Sequence, residues 1–362
     1  MSCSELGGIE VAMADSAVAL NALLQARSRK PGPLRRVTPG DLVIRRRRSG
    51  KGFSYIAPGG KALRDAPTLR RLKSLAMPPA YEEVLYAADP RAHLQAVGRD
   101  AAGRLQYRYH PEWEKVRERH KAKRLVALVE ALPRIRRCVS KHLAAGEPTR
   151  EFVLAAMVHL VARSAIRPGS EAYLRAHGTR GAATLLKSNV SVKRDTVILA
   201  FNGKGGQAVQ REFRSRRLAA AIGTLLQLPG KRLFQYRDAA GELRSLRRRD
   251  VNEFLYTTAG VRISLKDFRM LLASTSVLET LAHIPPAKSE RLRRRQILDA
   301  VRSAAADLAN TPAVCRRSYV HDTVFAAFEN GALRRFSPKL KQCRSTSGRE
   351  QLLAQIVAAA VN

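Results

Sequence analysis

At Trp113 the sequence changes its period. Between Thr38 and about Ala96 it reads as short extended pieces, DLVIRRR, FSYIAP and HLQAVGRD, cut apart by Gly, Pro and Asp turns. From Trp113 onward WEKVRERHKAKRLVALVEALPRIRRCVSKHL places apolar residues three and four apart, the spacing of one face of a long basic helix. Strand-like runs followed by helical runs imply an α+β chain rather than an alternating parallel one. The expected plan is a small β-rich N-terminal domain plus a larger, mainly α-helical catalytic domain with a β-hairpin.

Further signals fill in the second part. Glu147 to Ile166 reads as a helix with Thr149 as N-cap and Glu151 near the positive end of its dipole. TVILAFNGKGGQAVQREF gives two strand-like runs around a Gly-rich turn. Helices are expected from Arg249 to Ala259, Lys266 to Leu281 and Ser289 to Leu308. The first thirty residues read as an Ala-rich helix closed by KPGP. The boundaries that follow are 1–37 for an N-terminal extension, 38–115 for the β-rich domain, 116–331 for the catalytic domain and 332–362 for a basic tail.

Charge narrows the partners. Against 30 Asp and Glu stand 66 Lys and Arg, a net charge of +36 spread along the whole chain. Such an excess suits a polyanion. No apolar stretch approaches the roughly 18 to 20 residues of a membrane span, and three acids precede the first Arg, unlike a secretory signal. The expected location is cytoplasmic. The four cysteines show no CxxC pairing and no metal-ligand spacing with the eight histidines, so neither a disulfide framework nor a zinc site is expected.

Chemistry can be sought in NTPAVCRRSYVHD, Asn310 to Asp322. On local grounds Tyr319 is an amphipathic packing residue. A tyrosine that attacked a phosphodiester would instead need fixed cations for the non-bridging oxygens and a proton donor for the departing oxygen. Arginine suits the first task because its planar fork holds two oxygens and stays charged. IRPGSEAY sets Arg167 beside a Pro–Gly turn, FNGKGG offers Lys204 on a glycine-rich loop, and LKDFR puts Lys266 and Arg269 on one face of a helix. Thr311 and Pro312 make a cap and first turn for the short helix expected to carry Tyr319. In RLQYRYH, Tyr107 and Tyr109 would share one face of a strand and Arg108 the other. Propensity alone makes Lys204 a turn residue, Asn310 a loop residue, His321 a surface histidine and Arg291 to Arg295 a solvated helix face.

Taken in order, PPAYEEV, QAVGRDAAGRLQYRYHPEW, IRPGSEAY, FNGKGG, LFQYRD, LKDFR and NTPAVCRRSYVH resemble the motifs of type IB DNA topoisomerases of the bacterial and poxvirus kind. The resemblance runs from Gly40 to about Gly331. It implies a C-clamp around double-stranded DNA and relaxation of supercoils through a 3′-phosphotyrosyl intermediate at Tyr319. It also implies Arg167 and Arg269 on the non-bridging oxygens and Lys204 as general acid to the 5′-oxygen. Asn310 falls where poxvirus members have a histidine donor and bacterial members can carry Asn. Gln106, Tyr107, Tyr109, Tyr173 and Lys266 match positions that contact DNA around the cleaved phosphate. A monomer associated with the nucleoid, without cofactor, is the expected form.

The sequence departs from the family after LKDFR, where Met270 and Leu271 replace the usual Thr and Trp, and after Tyr319, where VHDTV lacks a Pro. No GxxxxGK[ST] motif is present, since Gly205 follows Lys204. Nor does the sequence gather the carboxylates of two-metal phosphoryl chemistry. No nucleotide or metal is therefore expected. A tyrosine recombinase would carry a histidine where Asp267 stands and a helical N-terminal domain. A non-catalytic DNA-coating protein would satisfy the charge but leave the ordered motifs unexplained.

Overall fold

The computed structural model describes residues 33–342 and 345–359. The chain divides into two compact units after Arg117. The helix expected in the first thirty residues lies outside the described residues, as does most of the 1–37 extension.

In the first unit the extended pieces form one antiparallel sheet. Its strands are β1 (Ile44–Ser49), β2 (Gly52–Ile56), β3 (Glu82–Tyr86), β4 (Leu94–Arg99) and β5 (Leu105–Tyr109), in the spatial order β2-β1-β3-β4-β5. The apolar alternation fixes two small cores. Ile44, Tyr55, Val84, Tyr86 and Ala96 pack with Leu72 of helix α1 (Ala66–Ser74). Leu42, Ala87, Ala92, Leu94 and Val97 form the other cluster. Helix α1 was not foreseen from the strand-like pattern, although Asp65 caps it by accepting from Thr68 N at 2.8 Å and Pro67 opens its first turn.

Helix α2 (Pro111–Ala144) realises the long amphipathic stretch, and the division between units falls within it. In the second unit α3 (Arg150–Ser164) is the central element, with Phe152 to Val158, Leu160 and Val161 all buried. A helix apolar on every side belongs in the middle of a core. Thr149 caps it as expected, its Oγ1 accepting from Phe152 N at 3.3 Å. Around it lie α4 (Glu171–His177), α5 (Arg216–Gln227), α6 (Arg248–Ala259), α7 (Leu265–Ala282) and α8 (Glu290–Asp307). Met270 and Leu271 of α7, the two departures after LKDFR, are both buried. The hairpin appears as β7 (Thr196–Asn202) and β8 (Ala208–Arg214), with β6 (Val190–Lys193) on its far edge and β9 (Gln235–Arg237) and β10 (Leu243–Ser245) as a separate ribbon.

Helices α9 (Pro312–Ser318), α10 (Asp322–Glu329), α11 (Leu333–Gln342) and α12 (Thr346–Ala358) complete the unit. Residues expected as a basic tail with a short closing helix carry part of the core. Leu333, Leu352, Leu353, Ile356 and Val357 join the main core, and Arg136 donates to both oxygens of Glu350 at 2.8 and 2.7 Å. The short closing helix expected after the basic run is α12, and its apolar residues recur three and four apart.

Candidate active site

Arg167 leaves the core just past the end of α3. That helix stops at Ala165, which adopts a left-handed conformation (φ 53°) and donates to Val161 O at 3.0 Å. The next residues are clasped by a neighbouring loop, with Ala182 N donating to Arg167 O at 2.8 Å and Ala183 N to Pro168 O at 2.9 Å. Gly181 is required for that clasp: a Cβ there would stand 2.5 Å from Arg167 O and from Gly169 N. The guanidinium donates to Ala309 O at 2.9 Å and to Asn310 Oδ1. Burial lowers its pKa, and the Tyr319 side chain opposes that shift.

Arg269 projects from the first turns of α7. Asp267 sets the start of this helix, accepting from Ser264 N at 2.7 Å and pairing with Arg124 at 2.5 Å. Arg269 itself is 1% exposed, an unusual place for a guanidinium. It donates to Ala165 O and, at 3.1 Å, to Leu308 O, while its Nε is buried and has no hydrogen-bond partner among the described residues. Its Cζ lies 4.8 Å from the ring centroid of Tyr319, and Lys266 Nζ lies 5.9 Å from the same ring. Burial lowers the Arg269 pKa, with the adjacent Tyr319 side chain the largest opposing influence.

The segment bearing the tyrosine is held through its backbone. Thr311 caps α9, accepting from Val314 N at 3.3 Å, with Pro312 at the first turn. Tyr319 is the residue that closes α9 rather than one inside it, and its N–H donates to Cys315 O at 2.9 Å. Ser274 of α7 donates to Tyr319 O at 3.2 Å and accepts from His321 N at 3.2 Å. Below the tyrosine, burial pushes the Cys315 thiol up to about 11, so it is an inert packing residue.

His321 is corrected from surface histidine to buried residue, 4% exposed. Its Nδ1 accepts from Thr323 N at 3.3 Å, capping α10, and its Nε2 meets Glu118 O at 3.2 Å. An accepting Nδ1 leaves Nε2 to carry the proton. Lys121 adds a second tie between α2 and this segment, donating to Arg317 O at 2.9 Å.

The structure thus brings together Tyr319, Arg269, Lys266, Arg167 and Asn310. The buried Nδ2 of Asn310 has no hydrogen-bond partner among the described residues. Lys204 is exposed on the hairpin tip, its Nζ 5.3 Å from the ring centroid of Tyr173. Among the described residues it makes no hydrogen bond to the Arg167–Asn310–Arg269 group. In the first unit, Tyr107 and Tyr109 share a face as expected and stack at 6.2 Å, and Tyr109 and Trp113 stack at 6.4 Å. Gln106 donates to Asp100 Oδ2 at 2.8 Å.

Two contributors escaped the sequence reading. Ser274 carries no signal beyond a serine on a buried helix. Arg211 does: in AVQREFR it takes the same parity as Val209 and Phe213, so a strand turns it toward the side where those two pack.

A family profile described as eukaryotic DNA topoisomerase I, catalytic core, matches residues 110–346, and one described as bacterial DNA topoisomerase IB, N-terminal domain, matches residues 52–100. The chain is similar to DNA topoisomerase 1B of Acanthamoeba polyphaga mimivirus, 28% identical over 294 residues that cover 79% of this chain and 88% of that one. It is also similar to DNA topoisomerase 1B of vaccinia virus strain Copenhagen, 24% identical over 237 residues, 63% of this chain and 70% of that one. With the catalytic-core match alone spanning well over half of the sequence, the chain belongs to the type IB DNA topoisomerase family.

Proposed function

We propose that the protein relaxes supercoiled double-stranded DNA by nicking one strand through Tyr319 and resealing it, without ATP or an obligatory metal. The observation that carries this reading is the placement of Arg269, buried and 4.8 Å from the Tyr319 ring, next to an Arg167–Asn310 pair on the adjoining turn. In the forward step Tyr319 Oη gives up its proton to solvent and bonds to phosphorus, and the bond from phosphorus to the 5′-oxygen breaks. Lys204 gives that oxygen its proton. Arg167, Arg269 and Asn310 Nδ2 take the charge that gathers on the non-bridging oxygens. Because the phosphotyrosine conserves the energy of the broken bond, the 5′-hydroxyl reverses the step after the free end has rotated.

Lys204 stands on a glycine-rich tip, against Tyr173, where a small change of the loop backbone would carry it to a bound strand. Duplex DNA, with Gln106, Tyr107 and Tyr109 of the first unit and Tyr173 and Lys266 of the second along its backbone, suits a net charge of +36. The protein then acts as a monomer in the cytoplasm, on the nucleoid.

The test is relaxation of supercoiled plasmid in EDTA without ATP, stopped with detergent, comparing wild type with Tyr319→Phe. Relaxation and a covalent adduct for wild type alone are expected. Binding with neither, or an adduct that survives in Tyr319→Phe, would overturn the assignment.

A further inference from the structure

Helix α8 ends in a row of carbonyls whose partners come from three different places. Ala306 O and Asp307 O accept from Arg211 NH2 at 2.9 and 2.6 Å, Leu308 O accepts from Arg269 at 3.1 Å, and Ala309 O accepts from Arg167 at 2.9 Å. The last carbonyls of any helix need partners from outside it. Supplying them from the catalytic arginines places Asn310, the next residue, beside Arg167. Arg211 supplies the first two, yet it belongs to neither arginine motif. It sits on β8, opposite Leu199 of β7, on the hairpin whose tip carries Lys204.

From this arrangement we infer that Arg211 is a positioning residue, tying the Lys204 hairpin to the end of α8 so that the general acid is presented to the phosphate held by the other groups. The inference rests on the catalytic reading above. Which side moves when the tie is lost follows from the remaining bonds. The end of α8 keeps Arg269 on Leu308 O and Arg167 on Ala309 O, and Leu308 is buried. On the hairpin, β7 is held near the tip by Arg180 N, which donates to Asn202 O at 2.9 Å, while β8, an edge strand of its sheet, is held at its base by Arg163 through Arg214 O at 3.2 Å, so that the bonds of Arg211 are what tie the middle of β8 to the end of α8. Loss of Arg211 therefore displaces Lys204 rather than Tyr319 or Asn310. A narrow cavity of about 10 Å³ lined by Arg167, Arg180, Arg211, Arg269 and Asp307 shows how closely these groups already pack.

A leaving group that needs no proton separates this role from a general loosening of the site. In a substrate with sulfur in place of the bridging 5′-oxygen, Tyr319 Oη forms the same bond to phosphorus and the P–S bond breaks. The thiolate departs with its electron pair, because thiols are far more acidic than alcohols.

The experiment measures single-turnover adduct formation on oxygen and sulfur substrates for wild type, Arg211→Ala, Arg211→Lys and, as the reference for a missing acid, Lys204→Ala. Arg211→Ala is expected to slow cleavage of the oxygen substrate about 10- to 100-fold, the scale of an ångström-sized misplacement. Its rate on sulfur should come within about threefold of wild type, as for Lys204→Ala, with DNA affinity nearly unchanged. Arg211→Lys, which can still reach one carbonyl, should recover part of the oxygen rate. An Arg211→Ala enzyme that cleaves oxygen at the wild-type rate, or one whose slow rate sulfur does not restore, would overturn the assignment while leaving the tyrosine mechanism intact. Absence of an adduct for wild type on either substrate would overturn the mechanism and the role of Arg211 with it.

Discussion

The guanidinium of Arg269 lies 4.8 Å from the ring centroid of Tyr319 while it holds the carbonyls of Ala165 and Leu308, one from each side of the site. Arg269 is thus a structural strut and a charge beside the Tyr319 ring at once. Replacing it by Lys keeps the charge and loses the fork. Arg269→Lys is expected to lower the cleavage rate by about 10²- to 10³-fold, the cost of removing one donor from a charge-stabilising site. It should also lower Tm, because a buried carbonyl is left unpaired. A single-turnover cleavage assay alongside thermal melting checks both, and a variant that cleaves at the wild-type rate would remove Arg269 from the reaction.

Asn310 offers two different ends. Its Oδ1 accepts from Arg167, and its Nδ2 is buried with nothing among the described residues to donate to. Asn310→Asp preserves the first function and deletes the second. We expect it, like Asn310→Ala, to cut cleavage at least about tenfold, with little effect on DNA affinity. Full activity in Asn310→Asp would mean that the residue serves only to orient Arg167.

Ser274 bridges the backbone on either side of Val320, through Tyr319 O and His321 N. Ser274→Ala deletes both bonds inside the core and should destabilise the protein by about 1 to 3 kcal/mol. Chemical denaturation measures that loss. Cleavage should fall by less than it does in Arg269→Lys, since the tyrosine keeps its bond to Cys315 O.

His159 of α3 gives the second unit a pH dependence. Burial, reinforced by Arg163 and Arg217, lowers its pKa from 6.5 to about 4. The unfolded chain therefore takes up a proton at a pH where the folded chain does not. The contribution to stability is fully present above pH 6.5 and is lost as the pH falls from there toward 4. Thermal melts across that window should show Tm falling with pH, and His159→Leu should flatten this part of the slope. An unchanged slope would place the acid sensitivity elsewhere.

Much of this site could be read from the chain because its residues sit in short motifs whose local structure is self-determined. Thr311 and Pro312 announce the start of α9, LKDFR starts a helix through Asp267, and the glycines of FNGKGG make a turn in any context. The two tyrosines of RLQYRYH share a face because a strand alternates. What stayed hidden depends on distant partners. His321 looked solvated until α2 supplied Glu118 O, and Ser274 acquires meaning only when the chain returns 45 residues later at Tyr319. The closing helix itself was legible, but its basic surroundings gave no sign that its short apolar face joins the main core.

The carbonyl row at the end of α8 also bears on what the resting enzyme ignores. Cells are full of small anions, and three guanidiniums in one place would ordinarily collect them. Here those guanidiniums already hold oxygen atoms of the chain itself, so an incoming ion has to exchange with partners already in place. A free phosphate ion brings nothing else with which to displace them. A phosphate within a long duplex arrives with contacts along its whole length, and that remote binding can offset the rearrangement. On the proposed reaction, the site would discriminate between a single ion and the same chemical group embedded in a polymer.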